Sequence, residues 1–162
     1  AMMSDLSMCV SFALCALAAA WHFWPDALRM PEMSFHLTDG RTLTSSELRG
    51  RSVLINFWSV SCEVCLRDMP TLTRLHESLA AENFTVLAVA AAHDPPPAVI
   101  STVERLQPGY PVALDVHGEL SAAFGGIEAT PTNILVRPNG KISDTYRGPV
   151  DETRIRATLL TF

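Results

Sequence analysis

From Ser52 to Trp58 the chain reads "SVLINFW", an almost unbroken apolar run with β-branched residues, the pattern of a strand buried on both faces. "FTVLAVAAA", Phe84 to Ala92, repeats it. Between the two runs the period changes. Leu66, Met69, Leu72, Leu75 and Leu79 recur every three or four residues, which predicts one helix from Cys62 to Ala81. Pro70 lies inside it, lacks an N–H and crowds the preceding turn, so a kink is expected there. Upstream, "SFHLTDGRTLTSSELRG" predicts a short strand, a turn at Asp39-Gly40 and a capped helical turn from Ser45 to Leu48.

Downstream, Pro95 to Pro97 open a loop and then a helix to about Leu106. "YPVALD" is a short strand, and "GELSAAFG" a short helix ended by Gly125-Gly126. "TNILVR", "PNG" and "KISDTYRG" spell strand, Asn-Gly turn, strand. "DETRIRATLL" is a terminal helix capped by Asp151. The order β-α-β-α-β-β-α predicts an α/β fold with helices on both faces of one sheet.

Ahead of this domain the alternation disappears. Met8 to Trp24 holds no Asp, Glu, Lys or Arg, and its 17 residues sit at the short limit for a membrane-spanning helix. Ala18-Ala19-Ala20 also fits a signal cleavage site, whereas Trp21 and Trp24 suit a membrane interface and tip the balance toward an uncleaved anchor. The positive flank expected of either reading is absent, since Asp5 is the only charged side chain before the run. Residues 1–30 therefore read as an apolar leader and linker, and 31–162 as one folded domain. Cys9 and Cys15 read as small hydrophobes of the leader, because neither follows a lipoprotein cleavage box.

The net charge of −5 and scattered Lys and Arg argue against a nucleic-acid surface. The remaining cysteines, Cys62 and Cys65, form a C-x-x-C between a strand and a helix. A zinc ribbon would need a second such pair or histidines at ligand spacing, and the five histidines are far apart, so no metal site is expected. At a helix N-terminus the free N–H groups and the dipole favour a thiolate, which makes Cys62 the candidate nucleophile. Cys65, almost a turn further on, can close a disulfide and release a bound client. Asp68 follows three residues later on the same helix face, a candidate proton acceptor for Cys65.

"LINFWSVSCEVCLRDMP" resembles the active-site stretch of the TlpA/ResA-like thioredoxin-fold proteins, and the likeness continues through "YPVALDVHGELSAAFGGIEATPTNILVRPNGKI". It covers about Met33 to Leu160. The resemblance implies a thioredoxin fold with an N-terminal extension and a central insertion. It implies thiol–disulfide exchange with protein clients on the outer side of the inner membrane, using the Cys62–Cys65 disulfide and no other cofactor. A thiol-type membrane electron donor and tethering through the N-terminal segment follow from the same likeness. Thr130-Pro131 matches the family's Thr-Pro, whose proline is cis and packs beside the disulfide; Thr130 and Pro131, with Trp58, become candidates for client binding. The carboxylate matching Asp68 lies near the cysteines in the family.

Three positions depart from the pattern. Ser61 replaces the usual Trp before the first cysteine, Val64 the frequent Pro before the second, and Asn56 the buried Asp of ordinary thioredoxins. The first two touch the redox pair and so bear on its potential and partner surface. Two other chemistries share the fold. A peroxiredoxin-like peroxidase would use Ser59, three residues before Cys62, but Ile55 stands where its Pro belongs. A copper-handling protein of the Sco type would need three residues between the cysteines and a distant ligand such as His93 or His117; only two residues intervene.

Overall fold

The computed structural model describes residues 29–162, so the expected leader lies outside the described residues. The domain is a seven-stranded sheet in the order β2-β1-β5-β4-β3-β6-β7. The strands are β1 Ser34–Leu37, β2 Thr42–Thr44, β3 Ser52–Trp58, β4 Phe84–Ala90, β5 Val112–Leu114, β6 Thr132–Val136 and β7 Ile142–Arg147. The helices are α1 Ser45–Leu48, α2 Glu63–Ser78, α3 Pro96–Leu106, α4 Glu119–Ala123 and α5 Glu152–Leu159.

β3 and β4 are buried at every residue, as their continuous apolar runs predict. β3 pairs in parallel with β4, from Ser52↔Phe84 to Trp58↔Ala90, and antiparallel with β6. The N-terminal extension adds the β1–β2 hairpin and α1, and the central insertion adds β5 between β1 and β4. β2 escapes the sequence pattern because it has only three residues and ends in Thr44, the N-cap of α1. There Thr44 and Glu47 exchange a reciprocal capping box.

The alternation of β3 divides two cores. Leu54 and Trp58 point to the side of α2, α3 and α5, where Met69, Leu72, Leu75, Val99 and Ile155 are buried. Val53, Ile55 and Phe57 point to the other side, with Leu48 of α1, Leu120 of α4 and Phe35 of β1. Each fully buried Leu or Ile contributes about 1.5–3 kcal/mol, so these two faces carry most of the stability. α2 passes through Pro70 as a single 16-residue helix. Arg29 and Met30, read from sequence as linker, dock on the β6–β7 turn, where Met30 N–H donates to Gly140 O at 2.8 Å.

His76, near the end of α2, serves the fold rather than the site. Its Nδ1 accepts the Val86 N–H at 3.2 Å, below the point where β5 begins to pair with β4. Only the neutral ring accepts that bond. Burial pushes the His76 pKa down; the Glu77 charge opposes this and Arg51 reinforces it. A depressed pKa means the unfolded chain binds the proton first, so the contribution is full above the unfolded value of about 6.5 and is lost as pH falls through the folded value. The unfolding midpoint should therefore decline between about pH 7 and 5 more steeply in wild type than in His76→Gln, whose amide oxygen keeps the acceptor. Parallel pH profiles would remove His76 from the account.

Candidate active site

β3 ends at Trp58, and four residues later α2 starts with Cys62 as its N-cap. The Cys62 sulfur accepts the Cys65 N–H at 3.2 Å, so a cysteine occupies the place where Ser or Asp usually caps a helix. That contact, with the helix dipole, stabilises negative charge on Cys62. Cys62 and Cys65 form a disulfide with their Cα atoms 5.2 Å apart. Their exposures differ: Cys62 is partly accessible, whereas Cys65 is 2% exposed and packs in the α2 core.

Opposite the pair lies the segment before β6. The Thr130–Pro131 peptide is cis and Pro131 is buried. The Thr130 carbonyl oxygen stands 3.6 Å from the Cys62 sulfur. In the disulfide that sulfur carries no proton, so this is a contact; a Cys62 thiol could donate to it after reduction. Beside Thr130 a cleft of about 230 Å³ opens between Phe57, His93, Gly118 and Glu128. A larger cleft of about 680 Å³, near Pro31 and Val116, is lined by neither cysteine.

Trp58, expected among the client-binding residues, is 1% exposed and belongs to the core beneath the pair. β3 is covered on both faces, and its alternation places Trp58 on the α2 side, beneath the pair and with almost no surface of its own. Asn56 shares its face. Its Nδ2 donates to Asn133 Oδ1 at 2.8 Å, and Asn133 in turn donates to Gly148 O. This amide pair puts no ionisable group where ordinary thioredoxins carry an acid.

Asp68 sits one turn beyond Cys65, and its Oδ2 accepts the Val150 N–H at 2.8 Å. Burial raises its pKa; the Val150 bond and the Arg67 charge oppose the shift. Tyr110 lies close enough that the Asp68 charge reinforces burial in pushing its phenol pKa up. The Tyr110 hydroxyl and Trp58 Nε1 are both buried without a hydrogen-bond partner among the described residues.

The sequence pattern does not reveal a polar network behind Cys62. Asp94 follows β4, is 7% exposed, and accepts the Ser59 hydroxyl and the Val60 N–H, both at 2.8 Å. Ser59 Oγ also accepts the Ser61 N–H at 3.3 Å and lies 3.0 Å from Ser61 Oγ. His93 Nε2 is 3.3 Å from Ser59 Oγ and 3.5 Å from Asp94 Oδ1. The available signal was topological: parallel neighbours end together, so residues just past β3 and β4 must meet. Ser59 thus points to Asp94, and His117 stays exposed in the loop before α4.

The family profile that matches this chain is Redoxin, over residues 26–159. The chain belongs to the Redoxin family. It is 29% identical over 117 residues to the thiol-disulfide oxidoreductase ResA of Halalkalibacterium halodurans, a match covering 72% of this chain and 65% of that protein. The ResA of Bacillus subtilis is 26% identical, over 77% of this chain and 69% of that protein. The first of these matches thus spans just under two thirds of the relative's own length. Among solved structures, a candidate thioredoxin from Neisseria meningitidis superposes with a TM-score of 0.76 at 31% identity, covering 83% of this chain and 89% of the other. StoA from Bacillus subtilis, 18% identical, shares the fold with a TM-score of 0.69 over 80% of this chain and 96% of its own. The ResA likeness and the thioredoxin fold expected from the motif are both met, and this Redoxin domain carries its C-x-x-C as a disulfide.

The raised Asp68 pKa gives a signed expectation. The folded protein holds that proton more tightly than the unfolded chain, so the contribution is present below the unfolded value of about 3.9 and is lost as pH rises through the folded value. Asp68→Asn should thus gain stability relative to wild type as pH rises from about 4 to 7, measured as the difference in unfolding midpoints. A pH-independent difference would mean that Asp68 titrates as an ordinary surface acid.

Proposed function

We propose that the protein is an extracytoplasmic thiol–disulfide oxidoreductase that reduces disulfides of secreted or periplasmic protein clients, apocytochrome c among the candidates. The observation that carries this reading is the asymmetry of the pair: a partly accessible sulfur at a helix N-terminus, disulfide-linked to a buried one. The ResA names of its relatives support the reaction class. The charge-free run from Met8 to Trp24 supports export and an inner-membrane tether. No helix among the described residues is long and apolar enough to cross a membrane.

In the proposed cycle the Cys62 thiolate attacks a client sulfur. The client disulfide breaks, a mixed disulfide forms, and one client thiolate leaves and takes a proton. The Cys65 thiol then gives its proton to Asp68, directly or through one water, and attacks the Cys62 sulfur. The Cys62–Cys65 disulfide closes, the second client thiol departs, and two electrons have passed to the client. A thiol-type membrane donor returns the pair to the dithiol. The client lies along the Thr130–Pro131 segment, whose backbone edge can pair with an extended peptide while one client side chain enters the adjoining cleft.

Reduced protein should be alkylated at Cys62 well before Cys65 near neutral pH, as peptide mass mapping would read; the opposite order would reverse their roles. Cys65→Ser expressed in the native host should hold clients as mixed disulfides, and failure to accumulate any would remove the protein-client reading. Asp68→Asn should slow mixed-disulfide release by about 10²-fold, the lower range for a general base, and an unchanged release rate would exclude the proton relay.

The couple should be a reductant. Glu63 follows Cys62 directly, no Lys, Arg or His lies between the cysteines, and acidic groups oppose a developing thiolate. Its potential is expected nearer about −270 mV than about −120 mV, and a value more oxidising than about −180 mV in glutathione buffers would contradict reductase function.

A further inference from the structure

The loop that presents Cys62 is held from behind by one buried acid. Asp94 grips it at two successive residues, through Ser59 Oγ on one oxygen and Val60 N–H on the other. Ser59 then passes the hold to Ser61, the residue directly before Cys62, by accepting its N–H and lying at hydrogen-bond distance from its hydroxyl. The Ser59 carbonyl accepts the Cys62 N–H at 3.1 Å. Every residue from Ser59 to Cys62 is therefore tied into one network whose carboxylate, among the described residues, is Asp94. Ser61 stands where the resembling family usually carries Trp, and here the position is held by hydrogen bonds.

The network also sets a charge. Val60 is two residues from Cys62, and successive Cα atoms are about 3.8 Å apart, so the Asp94 carboxylate lies within roughly 15 Å of the attacking sulfur. Water is largely excluded from it, since Asp94 is 7% exposed. The other ionisable groups on the surrounding elements are Glu63, Arg67 and Asp68 of α2, the exposed ring of His93, and Asp115 and Glu128, which line the cleft beside Thr130.

We propose that Asp94 is a positioning residue of the redox pair, anchoring the Ser59–Cys62 loop and placing a fixed negative charge behind Cys62 that holds the couple on the reducing side. The inference rests on Cys62–Cys65 being the working couple. The helix end draws negative charge onto Cys62; Asp94 opposes it from the loop side. Less thiolate means a less stabilised dithiol, and a less stabilised dithiol is a better reductant.

The test compares neutral and charge-keeping substitutions in the intact protein. At roughly 10 to 15 Å and an effective dielectric of about 20, one charge moves a neighbouring pKa by about one unit. Asp94→Asn should therefore lower the pH midpoint of Cys62 alkylation by about one unit. It should also shift equilibrium with glutathione, in which the disulfide plus two glutathione thiols give the dithiol plus oxidised glutathione, severalfold toward the dithiol at pH 8. Asp94→Ser serves as a second neutral variant if Asn does not fold. Asp94→Glu should stay near the wild-type midpoint. A folded neutral variant whose midpoint moves by less than about 0.3 unit overturns the inference, as does an equal shift in Asp94→Glu. Wild type that fails to equilibrate with glutathione at all would instead refute the oxidoreductase reading, so the two failures are distinguishable.

Discussion

The pairing of β3 with β4 on one side and β6 on the other is the constraint on which the site depends. Parallel pairing through Trp58↔Ala90 makes β3 and β4 end at the same level, so the Cys62 loop and the Asp94 loop emerge side by side. Antiparallel pairing through Phe57↔Thr132 makes β6 begin at that level, and so brings Thr130 and Pro131 to the same end of the sheet. Three segments separated by some 34 to 68 residues of chain meet there because backbone hydrogen bonds align one central strand with both neighbours. A slip of one residue in either ladder would turn Trp58 to the wrong core and draw the loops apart.

At this junction the electrostatics are opposed. The N-terminus of α2 and the Cys65 N–H draw negative charge onto Cys62. Glu63 follows Cys62 in sequence, and the Asp94 carboxylate holds the loop two residues before it. Cys65, deep against Met69 and Trp58, sees an apolar environment that favours the protonated thiol, and Asp68 with its raised pKa lies one turn away. The two sulfurs therefore sit in different surroundings, one partly accessible at a helix N-terminus and one buried.

The departures from the family pattern are absorbed locally. Without an aromatic ring before Cys62, the loop is secured by hydroxyls and a buried carboxylate. Without an acid at Asn56, a pair of amides fills the space between β3 and β6, and Asp68 follows Cys65 by one turn of α2. The thioredoxin fold is thus maintained here with different polar chemistry around the pair.

Hydrophobic period, caps and turn residues determined the strands β3 and β4, the helix α2, the β6–β7 hairpin and the placement of Cys62 at a helix N-terminus. These signals act over a few residues, so they can be read along the chain, and the motif around the cysteines carried the fold class with it. Which core Trp58 joins followed from the β3 alternation only once it was known which face Cys65 packs against. The Val150 N–H on Asp68, 82 residues away, the Asp94 grip on Ser59 and Val60, and the docking of Met30 on Gly140 were decided by tertiary structure alone. Each depends on which strands pair and in what register. A pattern of local preferences does not contain that information, because the energy that selects it comes from burying both faces of β3 at once.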